Sequence, residues 1–334
     1  MTTAIVGCGL IGRRRAEIAA AHPATGVAVV IDSSEASARA LARETDCAWS
    51  TDWRSALQSE IDIVVVATPN AYLAEIGIAA LDAGKHVLIE KPMGRNLAEA
   101  TALADAAERA GRLLKTGFNH RYHPALARAR ERFSSGDFGT LINVRARYGH
   151  GGRPGYENEW RGDPVLAGGG ELTDQGVHLL DLIRWFAGDP ISAYCLRQSA
   201  VWPIAPLEDN AFALLGYSGG AVASFHSSWT QWKNLFSFEI FGTRGALVVE
   251  GLGKSYGVER LIEVERNVAG GPPATAEFQF DGPDDSWRLE WQQFVGAIAN
   301  RTAYDGTPSD GVAVMRVLDA LYRSSQDGVP IALA

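Results

Sequence analysis

A chain of 334 residues predicts about two domains and is long enough to bury a large core without disulfides or metal to staple it. Apolar residues make up 46% and charged residues 21%, ordinary for a soluble globular protein. The formal net charge is −8, from 31 Lys and Arg against 39 Asp and Glu. With no basic block, the field that recruits nucleic acid is missing, and such a partner is disfavoured. Cys8, Cys47 and Cys195 are too few and too scattered for a disulfide framework or a zinc site, so no metal is expected. The longest apolar runs, 27–31 and 63–67, are strand-sized, far below the ~18–20 residues of a membrane helix. Arg13, Arg14 and Arg15 follow the first apolar run instead of preceding it, the reverse of a signal peptide. The expectation is a cytoplasmic protein with no membrane partner.

The first 120 residues alternate short apolar runs, at 4–6, 27–31, 63–67, 87–89 and 113–115, with Ala-rich helical patterns near 10–21, 34–44, 71–83 and 97–110. The runs are nearly continuous in apolar character, as strands covered on both faces require. Their alternation predicts a doubly wound parallel sheet built from right-handed crossovers. Past residue 121 the texture changes. A helix over 123–134 leads into a strand at 141–148, then a loop rich in Gly and aromatics from 149 to 170, then a helix ending near 187. Strand signals follow at 191–201, 210–217, 221–230, 235–241, 246–250, 256–266 and 275–280, separated by turns such as Ser218-Gly219-Gly220. Helical patterns at 285–300 and 310–325 close the chain. The reading is a doubly wound parallel α/β domain over 1–120 and an α+β domain with a large, mostly antiparallel sheet over 121–334.

Gly7-Cys8-Gly9-Leu10-Ile11-Gly12 follows the first strand and opens the first helix. In that context G-x-G-x-x-G binds a dinucleotide: one glycine for the tight turn, one for close approach of a pyrophosphate, one for helix–strand packing. The helix N-terminus offers the phosphates its unpaired N–H groups. Asp32 ends the second strand 20 residues after Gly12, where a carboxylate accepts hydrogen bonds from the adenosine ribose and repels a 2′-phosphate. NAD is therefore favoured, with NADP left open because Arg13 to Arg15 and the serines beside Asp32 suit a phosphate. Asp32 could instead cap the helix beginning near Ser34.

Further motifs sit where strands end: Ala67-Thr68-Pro69-Asn70, Glu90-Lys91-Pro92, and a glycine-led string from Gly168 to Asp181 containing Asp174 and His178. Together these resemble the glucose–fructose oxidoreductase / inositol dehydrogenase / MocA family of nicotinamide-dependent sugar and polyol oxidoreductases. The segment 118–124, Trp160-Arg161 and Ser309-Asp310-Gly311 extend the resemblance over essentially the whole chain. It implies an N-terminal Rossmann domain, an open-faced sheet domain, Lys91, Asp174 and His178 as the catalytic trio, and a homodimer or homotetramer formed through the C-terminal sheet. Two positions depart from the family pattern: Leu73 and Arg15 stand where many members have histidine.

The residue chemistry agrees. Histidine exchanges a hydroxyl proton near neutral pH. Asp174 and His178 are four apart and share a face if that stretch is helical; otherwise Asp174 is a first-turn acid serving the macrodipole. Pro92 forces Lys91 into an extended turn at a strand end, where its ammonium can polarise a reacting oxygen, with Glu90 holding the lysine or a ribose. Besides Gly7, Gly9, Leu10, Ile11, Gly12, Asp32 and Ser33, the expected cofactor contacts are Thr68, Pro69, Asn70, Glu90, Lys91, Arg121, Trp160 and Arg161. Expected substrate contacts are Lys91, Asn119, His120, Arg153, Tyr156, Trp160, Asp174 and His178, since aromatics beside hydrogen-bonding groups suit sugars. Trp229, Trp232 and Phe236 predict either an exposed oligomerising face or, if helices cover them, core. The expected activity is hydride transfer between a nicotinamide and a secondary alcohol or ketone of a sugar or polyol. The rivals are an NAD-dependent glycoside hydrolase using transient oxidation and a non-catalytic dinucleotide sensor.

Overall fold

The computed structural model describes residues 1–333. They divide into two compact units: Met1–Phe118 with Val165–Gly168 and Trp287–Met315, and Asn119–Pro164 with Gly169–Ser286 and Arg316–Ala334. Among the described residues no helix is long and apolar enough to cross a membrane.

In the first unit, β1 (Thr2–Val6), β2 (Gly26–Ile31), β3 (Ala48–Ser50), β4 (Ile63–Val66), β5 (His86–Ile89) and β6 (Leu114–Thr116) form one parallel sheet in the order β3-β2-β1-β4-β5-β6. This is the doubly wound order whose switch point lies between β1 and β4. The helices α1 (Leu10–Ala21), α2 (Glu35–Thr45), α3 (Leu73–Asp82) and α4 (Leu97–Ala110) fall where the Ala-rich patterns predict them. Asn96 caps α4 and Gly111 ends it in the left-handed conformation. Ile63 to Val66 are wholly buried, as a central parallel strand requires.

The helix α8 (Ser286–Asn300) explains why the first unit is discontinuous. Trp291, Phe294 and Val295 join the same buried cluster as Ile5, Val30 and Leu41, and the Trp291 indole N–H donates to Thr25 Oγ1 at 3.2 Å. Burying each such ring stabilises by about 1.5–3 kcal/mol. The sequence places this helix in 121–334 because its apolar stripe is visible but the surface it covers is not.

In the second unit, nine strands are ordered β14-β13-β12-β11-β7-β10-β9-β8-β15. They are β7 (Leu141–Gly149), β8 (Ser192–Gln198), β9 (Asn210–Gly216), β10 (Val222–Ser228), β11 (Leu235–Gly242), β12 (Gly245–Glu250), β13 (Glu259–Glu265), β14 (Ala274–Phe280) and β15 (Ile331–Ala332). Every pairing is antiparallel except β7 with β10. Alternation sends Tyr148, Phe225, Phe236 and Phe238 to a buried face, on which α5 (Pro124–Ser134) and α7 (Val177–Ala187) pack. Trp229 and Phe236 are therefore core, whereas Trp232 is 67% exposed. The opposite face shows Leu196, Phe212, Leu214 and Val222 to solvent. Among the described residues the remaining α-helices, a one-turn α6 (Pro164–Ala167) and the long α9 (Pro308–Asp327), each contribute residues to both units.

Candidate functional site

The glycine-rich loop leaves β1 and enters α1 with its three glycines in different surroundings. Gly7 has φ +98°, and a Cβ there would lie 2.4 Å from the Ala67 carbonyl oxygen. A Cβ on Gly12 would lie 1.7 Å from the Gly7 carbonyl oxygen, whereas one on Gly9 would meet nothing within 4 Å. Two glycines are thus demanded by packing, and the third keeps the loop open to a ligand. Gly9 stands at the start of α1 and brings no side-chain cap, so the first-turn N–H groups suit an anion. Leu10 is 83% exposed beside them, and Ile11 is half-buried.

Asp32 lies just past the end of β2. Its Oδ2 accepts the Cys8 N–H and its Oδ1 the Ser34 N–H, each at 2.8 Å. The carboxylate thereby braces the glycine loop and keeps lone pairs for ribose hydroxyls. Ser34, not Asp32, caps α2, accepting from the Ser37 N–H. Ser33 is exposed next to it. Arg13 is paired with Glu44 and Arg15 is buried between glutamates, so neither guanidinium is held out toward a 2′-phosphate. Loop, helix start and carboxylate fit a dinucleotide.

Two other strand ends share that edge of the sheet. Thr68, Pro69 and Asn70 follow β4, and buried Asn70 donates from Nδ2 to the Ala167 carbonyl at 2.8 Å. Glu90, Lys91 and Pro92 follow β5, with the Lys91–Pro92 bond cis and Lys91 half-buried. Glu90 accepts from Arg15 Nε at 2.8 Å, and Arg15 in turn donates to Glu290 at 2.5 Å beneath the Trp287 ring.

In the second unit, Leu172–Gly176 is a single π turn running into α7. Asp174 lies in that turn and His178 in the first turn of α7, buried to 5% exposure. The segment is helical, with a turn wider than the α spacing read from sequence. Asp174 accepts from Arg161 Nε at 3.1 Å, and its charge makes the Arg161 guanidinium hold its proton more tightly. Arg161 also lies over Trp160, 4.4 Å from the ring centre. Arg153 grips Glu159 with two bonds of 2.7 and 2.6 Å. Tyr156 is 2% exposed against Trp229, ring centres 4.5 Å apart, and burial pushes its phenol up. Arg121 is bound bidentately by Asp181 of α7 at 2.9 and 2.6 Å, and Asn119 and His120 are buried with it. Lys91 thus belongs to the first unit, and Asp174 and His178 to the second.

Residues 1–118 match the family model described as "Oxidoreductase family, NAD-binding Rossmann fold", and residues 126–248 match the "GFO/IDH/MocA C-terminal domain". The chain is 30% identical over 324 residues to a levoglucosan dehydrogenase of Pseudarthrobacter phenanthrenivorans, covering 83% of this chain and 81% of that protein. The chain belongs to the GFO/IDH/MocA oxidoreductase family. It is also 29% identical to a D-xylose 1-dehydrogenase (NADP(+)) of Haloferax volcanii, covering 92% of this chain and 91% of that one. Among solved structures, GenD2 from gentamicin A biosynthesis in complex with NAD superposes with TM-score 0.88 at 28% identity, covering 100% of this chain and 96% of that one.

This GFO/IDH/MocA member carries supporting residues that the sequence does not single out. Glu208, 2% exposed, accepts the Gly170 and Leu172 N–H groups at 3.1 Å each and the Tyr322 hydroxyl at 2.7 Å, and pairs with Arg197. It thus stands under the start of the turn that bears Asp174. A Cβ on Gly170 would lie 2.2 Å from the Glu208 carbonyl oxygen, which accounts for that glycine. Nothing in the local sequence marks Glu208. Glu290 does leave a signal, being a charge on the apolar stripe of Trp287, Trp291 and Phe294.

Proposed function

We propose that this protein transfers a hydride between a nicotinamide dinucleotide, NAD in preference to NADP, and a secondary alcohol or ketone carbon of a sugar or cyclic polyol. The observation that carries the reading is one edge of the parallel sheet. There the glycine loop, Asp32 and Lys91 all follow the carboxyl ends of strands, where open α/β sheets bind ligands. Gly7, Gly9, Leu10, Ile11 and Gly12 would hold the pyrophosphate, Asp32 and Ser33 the adenosine ribose, and Thr68, Pro69, Asn70, Glu90 and Lys91 the rest of the dinucleotide. Bound there, NAD supplies the hydride acceptor and its reduced form the donor. The first unit would hold the cofactor and the second the substrate.

In oxidation His178 takes the hydroxyl proton, and in reduction it returns it. Lys91 polarises the reacting oxygen. Asp174, paired with Arg161, orients His178 or accepts a neighbouring hydroxyl. Trp160 and Arg153 flank this group as substrate contacts. Tyr156 and Arg121 are spent on packing and on Asp181, and we read them as holding the loop and α7. The setting we assign is the cytoplasm, where the free thiols Cys8, Cys47 and Cys195 stay reduced. We assign a homodimer or homotetramer to the outer face of the large sheet, where Leu196 pairs across to Phe212, and Phe212 to His226. A charge introduced there, as in Phe212→Glu, should lower the mass measured by light scattering.

Purified protein offered NAD with inositols, aldoses and anhydrosugars tests the activity by the absorbance of reduced nicotinamide. Accumulation with at least one polyol is expected. Glycoside cleavage without accumulation would replace this reading with redox-neutral hydrolysis, and binding without turnover would replace it with a sensor.

A further inference from the structure

His120 sits in a 3-10 turn, Asn119–Tyr122, ahead of α5. Its ring lies flat on that of His178, with centres 3.7 Å apart and planes 15° from parallel. Both are 5% exposed. Each ring nitrogen of His120 has its own partner: Nδ1 is 3.1 Å from Asn119 Oδ1, and Nε2 is 3.2 Å from the Tyr148 hydroxyl. A side chain engaged at both nitrogens has little left to offer a substrate.

The surrounding bonds decide where the proton lies. Asn119 Nδ2 donates to Ser286 Oγ at 3.0 Å, and Ser286 donates to Asp284 at 2.6 Å. Asn119 therefore presents its oxygen to His120, and Nδ1 carries the hydrogen. Nε2 is then an acceptor for the Tyr148 hydroxyl. Tyr148 lies edge-on to Tyr256, ring centres 4.9 Å apart, and the Tyr256 oxygen accepts from Gln175 Nε2 at 3.0 Å. Gln175 stands next to Asp174 in the π turn. Hydrogen bonds thus run in one direction from the Tyr148 hydroxyl, through the His120 imidazole, Asn119 and Ser286, to the Asp284 carboxylate.

We propose that His120 is a positioning residue, a neutral imidazole locked as its Nδ1–H tautomer against which His178 is stacked and oriented. The assignment rests on the reading of His178 as the proton-exchanging group. A locked neutral ring fixes the plane of the His178 imidazole without competing for the substrate proton. It also avoids two stacked cations when His178 is protonated, an arrangement that like-charge repulsion opposes. Burial keeps Tyr148 a phenol, far from ionising, so its hydrogen remains available to Nε2. The groups facing His120 fit a neutral ring. Arg121 on its own turn is bound by Asp181. His123 lies edge-on at 5.6 Å, bonded to Glu259 and 3.9 Å from Asp284. Tyr148 and Tyr256 are uncharged, Phe236 is apolar, and Asp284 acts through Ser286.

Nitrogen-15 spectra of the histidine rings in the intact protein test the lock directly. His120, assigned by comparison with His120→Phe, should keep the neutral Nδ1–H pattern from pH 8 down to about 5.5. An Nε2–H pattern, or titration near the ordinary midpoint of about 6.5, overturns the assignment. In kinetics, His120→Ala removes the stack and should lower kcat at least about tenfold, the scale of misplacing a reacting group, with the KM for NAD changed less than about twofold. His120→Phe restores a flat ring and should recover part of that kcat. Turnover of His120→Ala within about twofold of wild type, or no recovery with phenylalanine, refutes positioning. Retention of full kcat by His178→Ala would sink the reading of His178 instead. A wild-type protein without turnover would remove the proposed function, and the nitrogen spectra and the ring-current shift of His178 would still decide the stack.

Discussion

Arg15 offers a severe test of how the first unit holds its Glu90-Lys91 turn. Its guanidinium is 1% exposed, 2.7 Å from Glu90 and 2.5 Å from Glu290, and 4.5 Å from the Trp287 ring centre. Arg15→Met keeps the length of the stem but strands two carboxylates, one wholly buried and one nearly so. Removing one partner of a buried ion pair costs about 3–5 kcal/mol. At about 2–4 °C per kcal/mol for a unit of this size, the midpoint should fall by roughly 6–20 °C. Burial already raises the Glu290 pKa, while Arg15 and Lys115 restrain it. Losing Arg15 raises it further, and a carboxyl with a raised folded pKa loses stability as pH rises through that range. The deficit should therefore grow from pH 4 to pH 8. Arg15→Met/Glu290→Gln removes one stranded charge and should recover about half the loss, a non-additive cycle. Scanning calorimetry of the four proteins is the assay. A single variant within about 2 °C of wild type, or a double variant lower than the sum of the two, refutes the reasoning.

Two further outcomes follow from side chains that hold backbone. Asp32→Ala removes the acceptor of the Cys8 and Ser34 N–H groups and the partner expected for the ribose. It should raise the KM for NAD about tenfold or more while raising that for NADP less, read from initial rates with both cofactors. Asp209 accepts the N–H groups of Ala200, Val201 and Trp202 at 2.7–3.0 Å. Although burial opposes ionisation, these bonds hold its pKa below the usual carboxylate value. Such a group stabilises above the unfolded pKa of about 3.9 and ceases to as pH falls. Asp209→Asn should cost about 1–3 kcal/mol at pH 7 and progressively less below pH 4, measured by urea unfolding at each pH.

What could be read from sequence was local chemistry. Gly7 to Gly12, Asp32 and Glu90-Lys91-Pro92 announce themselves because a turn, a strand end and a proline act over a few residues. The long helices α1, α4 and α5 lie within a residue of their patterns for the same reason. The three residues of β3 and the two of β15 carry too little pattern to stand out, since such short strands exist only through their neighbours. The π turn at Leu172–Gly176 was hidden, because its wider winding is supported by Glu208, 32 or more residues onward. The partner of the α8 stripe was equally invisible. His120 and Arg121 read as ligand contacts from their place at the domain junction. Their bonds to Asn119, Tyr148 and Asp181 depend on residues brought together by the fold and leave no local signal.

The most direct measurement is deuterium transfer from a sugar labelled at the reacting carbon. Wild-type protein should pass the label to the nicotinamide ring with a primary isotope effect. Lys91→Met and His178→Asn should each lower the rate at least a hundredfold, and the double variant little further, because groups acting as one unit are not additive. Label appearing in solvent instead of on the ring, or Lys91→Met and His178→Asn effects that simply multiply, would contradict the account.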